Sequence, residues 1–295
     1  MTELLLRRVA FASGLELPAS TRVDRIQCVA GRGRGSHVDI AAGTATLWFC
    51  LRGRVEVATS DGPFELRGRQ FLFQPGTHAT RGIAREASDW LVLAFAPGRM
   101  RLSDVGDPRR LAAALHLYPL ALPMQRGLLR AVVRLLRFGG QDRGRDAGAV
   151  VDALLREAAR AQAPVEAWMA RACGRSEAHR RQVLLRLLSP RNRMLNEPFA
   201  SHDLATLAAA ARYSKSHFLR LFRDVFGQTP HDLLIAARME LAKDLIARSD
   251  MAIAEVAASV GYESRYAFSR LFKKRVGSTA SDFRNDAALA QDGVA

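Results

Sequence analysis

The chain has 295 residues, of which 48% are hydrophobic and 25% are charged, an ordinary composition for a soluble globular protein. It is long enough for two domains that each bury a core, and no apolar run is long enough to predict a membrane span. The formal net charge of +15 predicts attraction to polyanions such as nucleic acid. The first residues lack the basic-then-apolar order of a secretion signal, so we expect a cytoplasmic protein without a membrane partner.

The positive charge is spread along the chain. Residues 175–295 carry 19 basic and 13 acidic side chains, and the remaining residues carry 25 and 16. The position of each basic residue is therefore more informative than the total. The three cysteines, Cys28, Cys50 and Cys173, are too few and too widely spaced for a disulfide framework or a CxxC zinc site. They are either buried free thiols or, for Cys28 and Cys50, sensors of oxidation.

Residues 20 to 97 have the pattern of β-structure. Short apolar runs alternate with glycine-rich segments, and LRGRVEV (Leu51–Val57) alternates apolar and polar residues with the period of a half-buried strand. The SDG sequence at Ser60–Gly62 predicts a hairpin turn. Many short strands with frequent turns favour a β-sandwich or β-barrel.

The segment RGRQFLFQPGTHAT (Arg67–Thr80) resembles the second motif of the cupin family. This resemblance implies a cupin-like barrel that senses a signal. A metal-binding cupin also needs an HxH pair and a glutamate in its first motif, and AGTATLWFCLRGRVEV has neither the HxH pair nor a glutamate in the matching place. We therefore expect no metal, no cofactor and no enzymatic activity. A barrel mouth is a natural pocket for a small effector, and the candidate lining residues are Trp48, Cys50, Phe71, Phe73, His78 and Trp90.

From about Arg109 to Ala172 the pattern becomes helical. Leu128–Phe138 and Val150–Ala161 place apolar residues at helical spacing, and Gly139–Gly148 is a polar break between them. These helices could cover the barrel, pair with a second subunit, or do both, and we expect a homodimer. The predicted organisation is a sensing β domain (1–108), a helical linker or dimerisation region (109–176) and a helical C-terminal domain (177–295).

An amphipathic phrase occurs twice in the C-terminal domain. FLRLFRDVFG (Phe218–Gly227) and FSRLFKKRVG (Phe268–Gly277) share a pattern of aromatic, basic and glycine positions. Each copy predicts a short helix, a turn and a longer helix. The predicted N-caps are Ser214, Ser264 and Thr229, and the predicted helix ends are Gly227 and Gly277. Gly261 marks the turn of the second copy, and Arg212 takes the equivalent place in the first copy.

A short helix, a tight turn and a second helix form a helix-turn-helix unit, whose second helix enters the DNA major groove. The second helix needs a buried face, which Phe218 and Phe268 begin, and an exposed face, on which Arg220 and Arg270 lie. Arginine forks onto guanine O6 and N7, the commonest specific base contact. Two such helices on one chain predict binding to two successive major-groove segments.

Residues 177–287 resemble the DNA-binding domain of the AraC/XylS family, in which a central helix joins two helix-turn-helix units. The resemblance is carried by LAAAARYSKSHFLRLFRDVFGQTPHDLLIAARMELAKDLI and IAEVAASVGYESRYAFSRLFKKRVGSTASDFR. Ala280 departs from the family, which usually has proline there, and it should weaken a helix start slightly. The expected fold class is α+β: a cupin-like β-barrel followed by helices, then an all-α domain with two helix-turn-helix motifs.

The resemblance also implies positions for DNA contacts. Lys215, Lys273 and Lys274 are the expected phosphate contacts, which position a protein without specifying sequence. Arg238, on a central helix predicted at Pro230–Ala247, is expected to be structural, through an acidic neighbour or the packing of its stem. The expected base contacts are Ser216, Leu219, Arg220, Arg265, Tyr266, Ser269 and Arg270.

The predicted function is that of a sequence-specific regulator of transcription that binds double-stranded DNA. The family implies an activator, with RNA polymerase as a partner and an unknown small-molecule or redox effector. Two alternatives remain open at this point. One is a cupin enzyme fused to a DNA-binding domain, which bound metal would favour. The other is a non-specific architectural DNA binder, which equal affinity for all sequences would favour.

Overall fold

A computed structural model describes residues 3–20, 22–100, 117–141 and 147–292. The chain divides into two compact units between Ala170 and Arg171. No helix in the described ranges combines the length and the apolar character that a membrane crossing requires.

Two β-sheets form most of the first unit. The strand order is β1-β3-β10-β5-β8-β11 in the six-stranded sheet and β2-β4-β9-β6-β7 in the five-stranded sheet. Neighbouring strands are antiparallel except for two parallel pairs, β1 with β3 and β2 with β4. The strands are β1 (Glu3–Val9), β2 (Gly14–Leu17), β3 (Arg25–Arg32), β4 (His37–Ile40), β5 (Ala45–Arg52), β6 (Arg54–Thr59), β7 (Gly62–Arg67), β8 (Gln70–Gln74), β9 (Thr80–Ala84), β10 (Asp89–Phe95) and β11 (Ala121–Pro123).

The predicted hairpin turn is confirmed between β6 and β7, where Thr59 pairs with Gly62. Gly62 has φ +92°, a conformation that glycine adopts without strain. Val55 and Val57 of β6 are buried and alternate with more exposed neighbours, as the period of two predicts. This hairpin is therefore encoded locally.

The six-stranded sheet is covered on both faces. One face packs against the five-stranded sheet, and the other packs against two helices, α1 (Arg126–Gln141) and α2 (Ala147–Ala161). Both faces of β5 are consequently buried over Ala45–Cys50. A strand buried on both faces shows a continuous apolar run rather than alternation, so its sequence does not indicate which side chains face which layer.

Side chains fill the space between the two sheets. Trp48 and Trp90 lie with their ring centroids 6.0 Å apart, and their indole N–H groups donate to Thr46 Oγ1 and Ser36 Oγ at 2.9 Å. Gly82 and Gly31 make room for these rings, because a Cβ on either glycine would lie 2.1 or 1.9 Å from an indole atom. The interior of the sandwich is thus a packed core.

The strand pattern allowed a sandwich or a barrel, and the resemblance to the cupin family implied a barrel; the described residues do not form a closed barrel. Their hydrogen-bonded strand order gives two open sheets stacked face to face. β1 and β2 lie outside the predicted β region of residues 20–97. ELLLRRV has a continuous apolar run and GLEL has only four residues, so neither is a strong strand signal. Each forms an edge strand through a parallel pairing that local sequence cannot reveal.

The helices of the first unit follow the prediction with shifted ends. The predicted helices at Leu128–Phe138 and Val150–Ala161 lie within α1 and α2. The predicted break at Gly139–Gly148 is shorter, because α1 continues to Gln141 and α2 begins at Ala147. Residues 109–116, where the helical pattern begins, lie outside the described residues. A third helix, α3 (Pro164–Arg171), reaches the division between the units.

The second unit is helical, as predicted. Phe218, Phe222, Phe268 and Phe272 are fully buried and supply the largest core side chains. The predicted central helix at Pro230–Ala247 is confirmed and ends at Arg248. The helices are α4 (Glu177–Asn196), α5 (Leu204–Ala210), α6 (Lys215–Phe226), α7 (Pro230–Arg248), α8 (Ile253–Ser259), α9 (Arg265–Val276) and α10 (Ala280–Asp292).

Candidate nucleic-acid interface

The first helix-turn-helix unit consists of α5 and α6. Asp203 caps α5 by accepting a hydrogen bond from the Thr206 N–H, and Ser214 caps α6 by accepting one from the His217 N–H. Arg212 lies in the turn with φ +59°, and Gly227 ends α6 with φ +74°. The N-cap and the helix end predicted for this copy are confirmed.

The second helix-turn-helix motif repeats this geometry with α8 and α9. Ser264 accepts a hydrogen bond from the Ala267 N–H at the start of α9. Gly261 occupies the turn with φ +85°, and Gly277 ends α9 with φ +93°. The Glu255 carboxylate accepts from the Ala252 N–H at 2.8 Å and holds the start of α8. Both units therefore present their second helix through the same local signals.

Each second helix has one buried face and one exposed face. Phe218 and Phe222 of α6, and Phe268 and Phe272 of α9, point into the core. All ten side chains predicted to contact DNA are exposed, and Tyr266 has 90% of its surface accessible. The fold thus gathers them onto the outer faces of two helices: Lys215, Ser216, Leu219 and Arg220 on α6, and Arg265, Tyr266, Ser269, Arg270, Lys273 and Lys274 on α9.

The two outer faces differ in charge. The exposed residues of α9 include five basic side chains and no acidic one, whereas those of α6 include three basic side chains and one acidic one, Asp224. Leu219 is the exposed apolar residue of α6, with 37% of its surface accessible. Helix α9 therefore has the stronger electrostatic attraction to phosphate, and α6 has an apolar group suited to a thymine methyl.

Arg238 of α7 connects the two helix-turn-helix units. Its guanidinium donates to the carbonyl oxygens of Pro198 (2.8 Å), Ala200 (3.2 Å) and Gly261 (3.2 Å). It also lies 5.4 Å from the centre of the Tyr262 ring. The structural role predicted for Arg238 is confirmed, but the polar partners of its guanidinium are carbonyl oxygens. This side chain connects the turn of the second helix-turn-helix motif, at Gly261, to the segment that precedes α5 of the first motif.

Asp232 makes a second link that the sequence did not indicate. It lies in the first turn of α7, where the Thr229 hydroxyl donates to its carboxylate at 2.7 Å. The Arg275 guanidinium of α9 approaches the same carboxylate at 3.5 Å. The Thr229 hydrogen bond and, secondarily, the Arg275 charge lower the pKa of Asp232. The cap was predictable from TPHD, but the contact with α9 depends on tertiary folding.

Helix α4 supports α6 and the turn before it through contacts with aromatic rings. The Arg186 guanidinium lies 5.8 Å from the Tyr213 ring centre, and the Tyr213 ring meets the His217 ring edge-on at 4.9 Å. Arg191 lies 5.5 Å from the Phe226 ring centre, and burial lowers its pKa to about 10. These contacts come from residues far apart in sequence, and no local pattern indicates them.

The six predicted effector residues do not line one cavity. Trp48, Cys50 and Trp90 belong to the core between the sheets. Phe71 and Phe73 lie on the opposite face of the six-stranded sheet, against the helices. His78 is exposed on the segment that joins β8 and β9. Within the described ranges, no group of three or more His, Cys, Asp or Glu side chains could hold a metal ion.

Cys28 and Cys50 also lie on opposite faces of this sheet. Cys28 packs toward the helices and Cys50 into the sandwich, on strands separated by β10. Burial raises the pKa of each thiol to about 12. A redox response required the two to be close and exposed, and neither condition is met. Cys173, in the second unit, is exposed.

The second unit is similar in sequence to known transcription regulators. Residues 207–286 match a family model described as a helix-turn-helix domain. The regulatory protein SoxS of Escherichia coli K12 is 32% identical over 83 residues, which cover 28% of this chain and 78% of SoxS. A putative AraC-like transcription regulator of Streptomyces antibioticus is 35% identical over 88 residues, which cover 30% of this chain and 29% of that protein. The chain belongs to the AraC/XylS family of transcriptional regulators.

The longer relatives are matched over only part of their length. The RCS-specific HTH-type transcriptional activator RclR of Escherichia coli K12 is 33% identical over 109 residues, which cover 35% of this chain and 38% of RclR. The matched residues 207–286 include part of α5 and the whole of α6, α8 and α9, so the family resemblance lies in the two capped helix pairs.

Proposed function

We propose that this protein is a transcription activator that recognises two successive major-groove segments with α6 and α9. The observation that carries the proposal is the pair of capped helices whose exposed faces differ in chemistry. Arg265 and Arg270 offer donors for guanine on one face, and Leu219 offers an apolar contact beside Arg220 on the other. Different faces imply different preferred bases, so the two segments should have different sequences.

Contacts to phosphate form a separate class in this proposal. Lys215 on α6 and Lys273 and Lys274 on α9 set the position of each helix on the duplex. The stronger positive charge of α9 makes it the main source of the salt dependence of binding. Arg238 holds the two helix-turn-helix motifs in a fixed relative orientation, so that one chain can span both DNA segments.

The first unit is proposed to sense an effector and to alter the presentation of the DNA-binding unit. RNA polymerase is the proposed partner at the promoter, because the relative RclR is a transcriptional activator. A homodimer through the helices of the first unit is compatible with this function. It is not required for recognition of two segments, because both helices lie on one chain.

Selection from a random-sequence DNA pool tests the specificity. At physiological salt the full chain should enrich a motif of two sequence blocks separated by about one helical turn, roughly 10–10.5 bp. Arg270→Ala should abolish discrimination in one block and Arg220→Ala in the other, each at a cost of about 1–3 kcal/mol at the affected bases. A pool that yields no motif would instead identify a non-specific architectural protein.

Lys274→Ala provides the matched control on α9. It should weaken binding about equally for all sequences and reduce the slope of log affinity against log salt by about 1. A loss of base discrimination in this variant would mean that Lys274 contacts bases. Transcription of a template carrying the selected motif, with purified RNA polymerase, then tests activation. A decrease on addition of the protein would identify a repressor.

A further inference from the structure

A cavity of about 900 Å³ opens at one end of the six-stranded sheet. It is formed where β1, β3 and β5 end and β10 begins, beside Leu136 of α1. This volume lies within the range of small-molecule sites. The interior of the sandwich, by contrast, is filled by Trp48, Trp90 and their neighbours. A ligand of the first unit therefore has a better-formed site at the end of this sheet than between the two sheets.

Most of the cavity wall is apolar. Ala30, Leu51 and Leu136 contribute aliphatic surface to this wall. Phe11 lies at the same cavity with 71% of its surface exposed. An aromatic side chain exposed to this extent leaves a large apolar surface in water, which a bound apolar group would cover.

The same cavity is also basic. Arg8, Arg32 and Arg52 line it, together with one acidic residue, Asp89. Arg32 is paired with Asp89 at 2.9 Å. Arg8 and Arg52 have no acidic partner among the residues that the structure describes. Two arginine side chains are therefore available to neutralise an anion next to an apolar wall.

We infer that this cavity binds a small amphipathic carboxylate, with its apolar body against Leu51, Leu136 and Phe11 and its carboxylate between Arg8 and Arg52. Arginine suits a carboxylate because its planar fork of N–H donors matches the two oxygens. The apolar wall explains why a simple inorganic anion would leave most of the cavity empty. Binding at this site does not depend on how the second unit recognises DNA.

Calorimetric titration of the full chain tests this inference with three probes. Octanoate carries both features, octan-1-ol carries the apolar chain alone, and acetate carries the carboxylate alone. Octanoate should bind at least about tenfold more tightly than either of the others, because only it uses both the arginines and the apolar wall. Equal binding of octan-1-ol and octanoate would overturn the inference, as would no binding of octanoate.

Three variants locate the site. Arg8→Gln and Arg52→Gln should each weaken octanoate binding by about tenfold or more, since each removes a charge-assisted hydrogen bond. Arg7→Gln is the matched control, because Arg7 is the adjacent exposed arginine of β1 and does not line the cavity. Far-ultraviolet circular dichroism should show the same fold for all three. A loss with Arg7→Gln as large as with Arg8→Gln would overturn the assignment.

The titration contains no DNA, so its failure and a failure of the DNA-binding proposal are distinguishable. A chain that selects a two-block motif but does not bind octanoate would retain its function and lose this ligand class. A chain that binds octanoate but selects no motif would show the reverse.

Discussion

Arg212 and Gly261 occupy equivalent places in the two helix-turn-helix units. Both have left-handed backbone conformations, with φ +59° and +85°. Glycine adopts this conformation without strain, whereas a residue with a side chain is strained there by roughly 1 kcal/mol. The first turn therefore stores a small strain that the second turn avoids.

Replacing these two residues should change stability in opposite directions. Arg212→Gly should stabilise the second unit by about 0.5–1 kcal/mol, because it relieves the strained φ. Gly261→Ala should destabilise it by about 1 kcal/mol or more, since its Cβ would also lie 2.9 Å from the Phe199 carbonyl oxygen. Thermal unfolding followed by far-ultraviolet circular dichroism measures both. A lower midpoint for Arg212→Gly would show that its side chain contributes more than its backbone conformation costs.

The cysteines give a second prediction for single residues. A thiol reagent at neutral pH should label Cys173 rapidly in the native protein and should label Cys28 and Cys50 only after unfolding. The reason is that Cys173 is exposed, while burial raises the pKa of the other two thiols to about 12. Cys173→Ser should therefore abolish native labelling. Rapid labelling of this variant would place a reactive thiol in the first unit.

The same shifts predict a dependence of stability on pH. The thiols of Cys28 and Cys50 keep their protons in the folded state up to a pKa of about 12, compared with an ordinary value of 9.0. Between these values the unfolded chain binds fewer protons than the folded chain, so the free energy of unfolding falls as pH rises above about 9. Below pH 9 these thiols contribute no pH dependence.

At the scale of elements, α7 joins the two helix-turn-helix motifs through Arg238. The carbonyl groups that Arg238 binds belong to residues 40, 38 and 23 positions away in the chain. The Asp232–Arg275 contact adds a link between the start of α7 and α9. The relative orientation of α6 and α9 depends in part on these contacts.

Arg238→Ala should destabilise the second unit by about 2 kcal/mol or more. It would leave three carbonyl groups without their donor. A hydrogen bond to a charged group contributes about 1.5–3 kcal/mol net of solvent, and less at a part-buried site such as this one, where water can replace the lost donor. Arg238→Lys should recover only part of this loss, because an ammonium group cannot reach three carbonyls with a planar fork. Denaturant unfolding followed by circular dichroism provides the measurement.

Lys243→Ala is the control on the same helix. Lys243 pairs with Glu240 at 2.7 Å near the surface, and such pairs contribute about 0.2–1 kcal/mol. Its loss should therefore be small. An equally small loss of stability for Arg238→Ala would mean that other contacts hold the two helix-turn-helix motifs together.

At the scale of the whole molecule, the two units have separate hydrophobic cores. One lies between and behind the sheets of the first unit, and another surrounds Phe268 and Phe272 of the second helix-turn-helix motif. All three tryptophans, Trp48, Trp90 and Trp168, fall before the division at Ala170. Tryptophan fluorescence therefore reports on the first unit alone, whereas helical circular dichroism is dominated by the second.

Unfolding should consequently differ between the two signals. We expect separate midpoints for fluorescence and circular dichroism, because independent cores unfold as independent cooperative units. Arg212→Gly should raise the midpoint seen by circular dichroism and leave the fluorescence midpoint unchanged. Coincident midpoints that both move with this variant would show that the two units unfold as one.

Much of the second unit was determined by the sequence alone. Ser214, Ser264 and Thr229 begin helices and Gly227 and Gly277 end them through contacts with residues three or four positions away, so a short window contains the necessary information. The alternation of buried phenylalanine and exposed arginine likewise follows from the helical period. The candidate DNA-contacting faces were predictable for this reason.

Only the tertiary structure decided the arrangement of the first unit. In β5 and β10 both faces are buried, so the sequence has no alternation from which to assign Trp48 to the sandwich or Phe49 to the helices. The open sheets, the separation of Cys28 from Cys50 and the cavity beside Arg8 follow from strand pairing between distant residues. The three carbonyl partners of Arg238 are fixed in the same way. Such contacts depend on the path of the whole chain, because no local energy term specifies them.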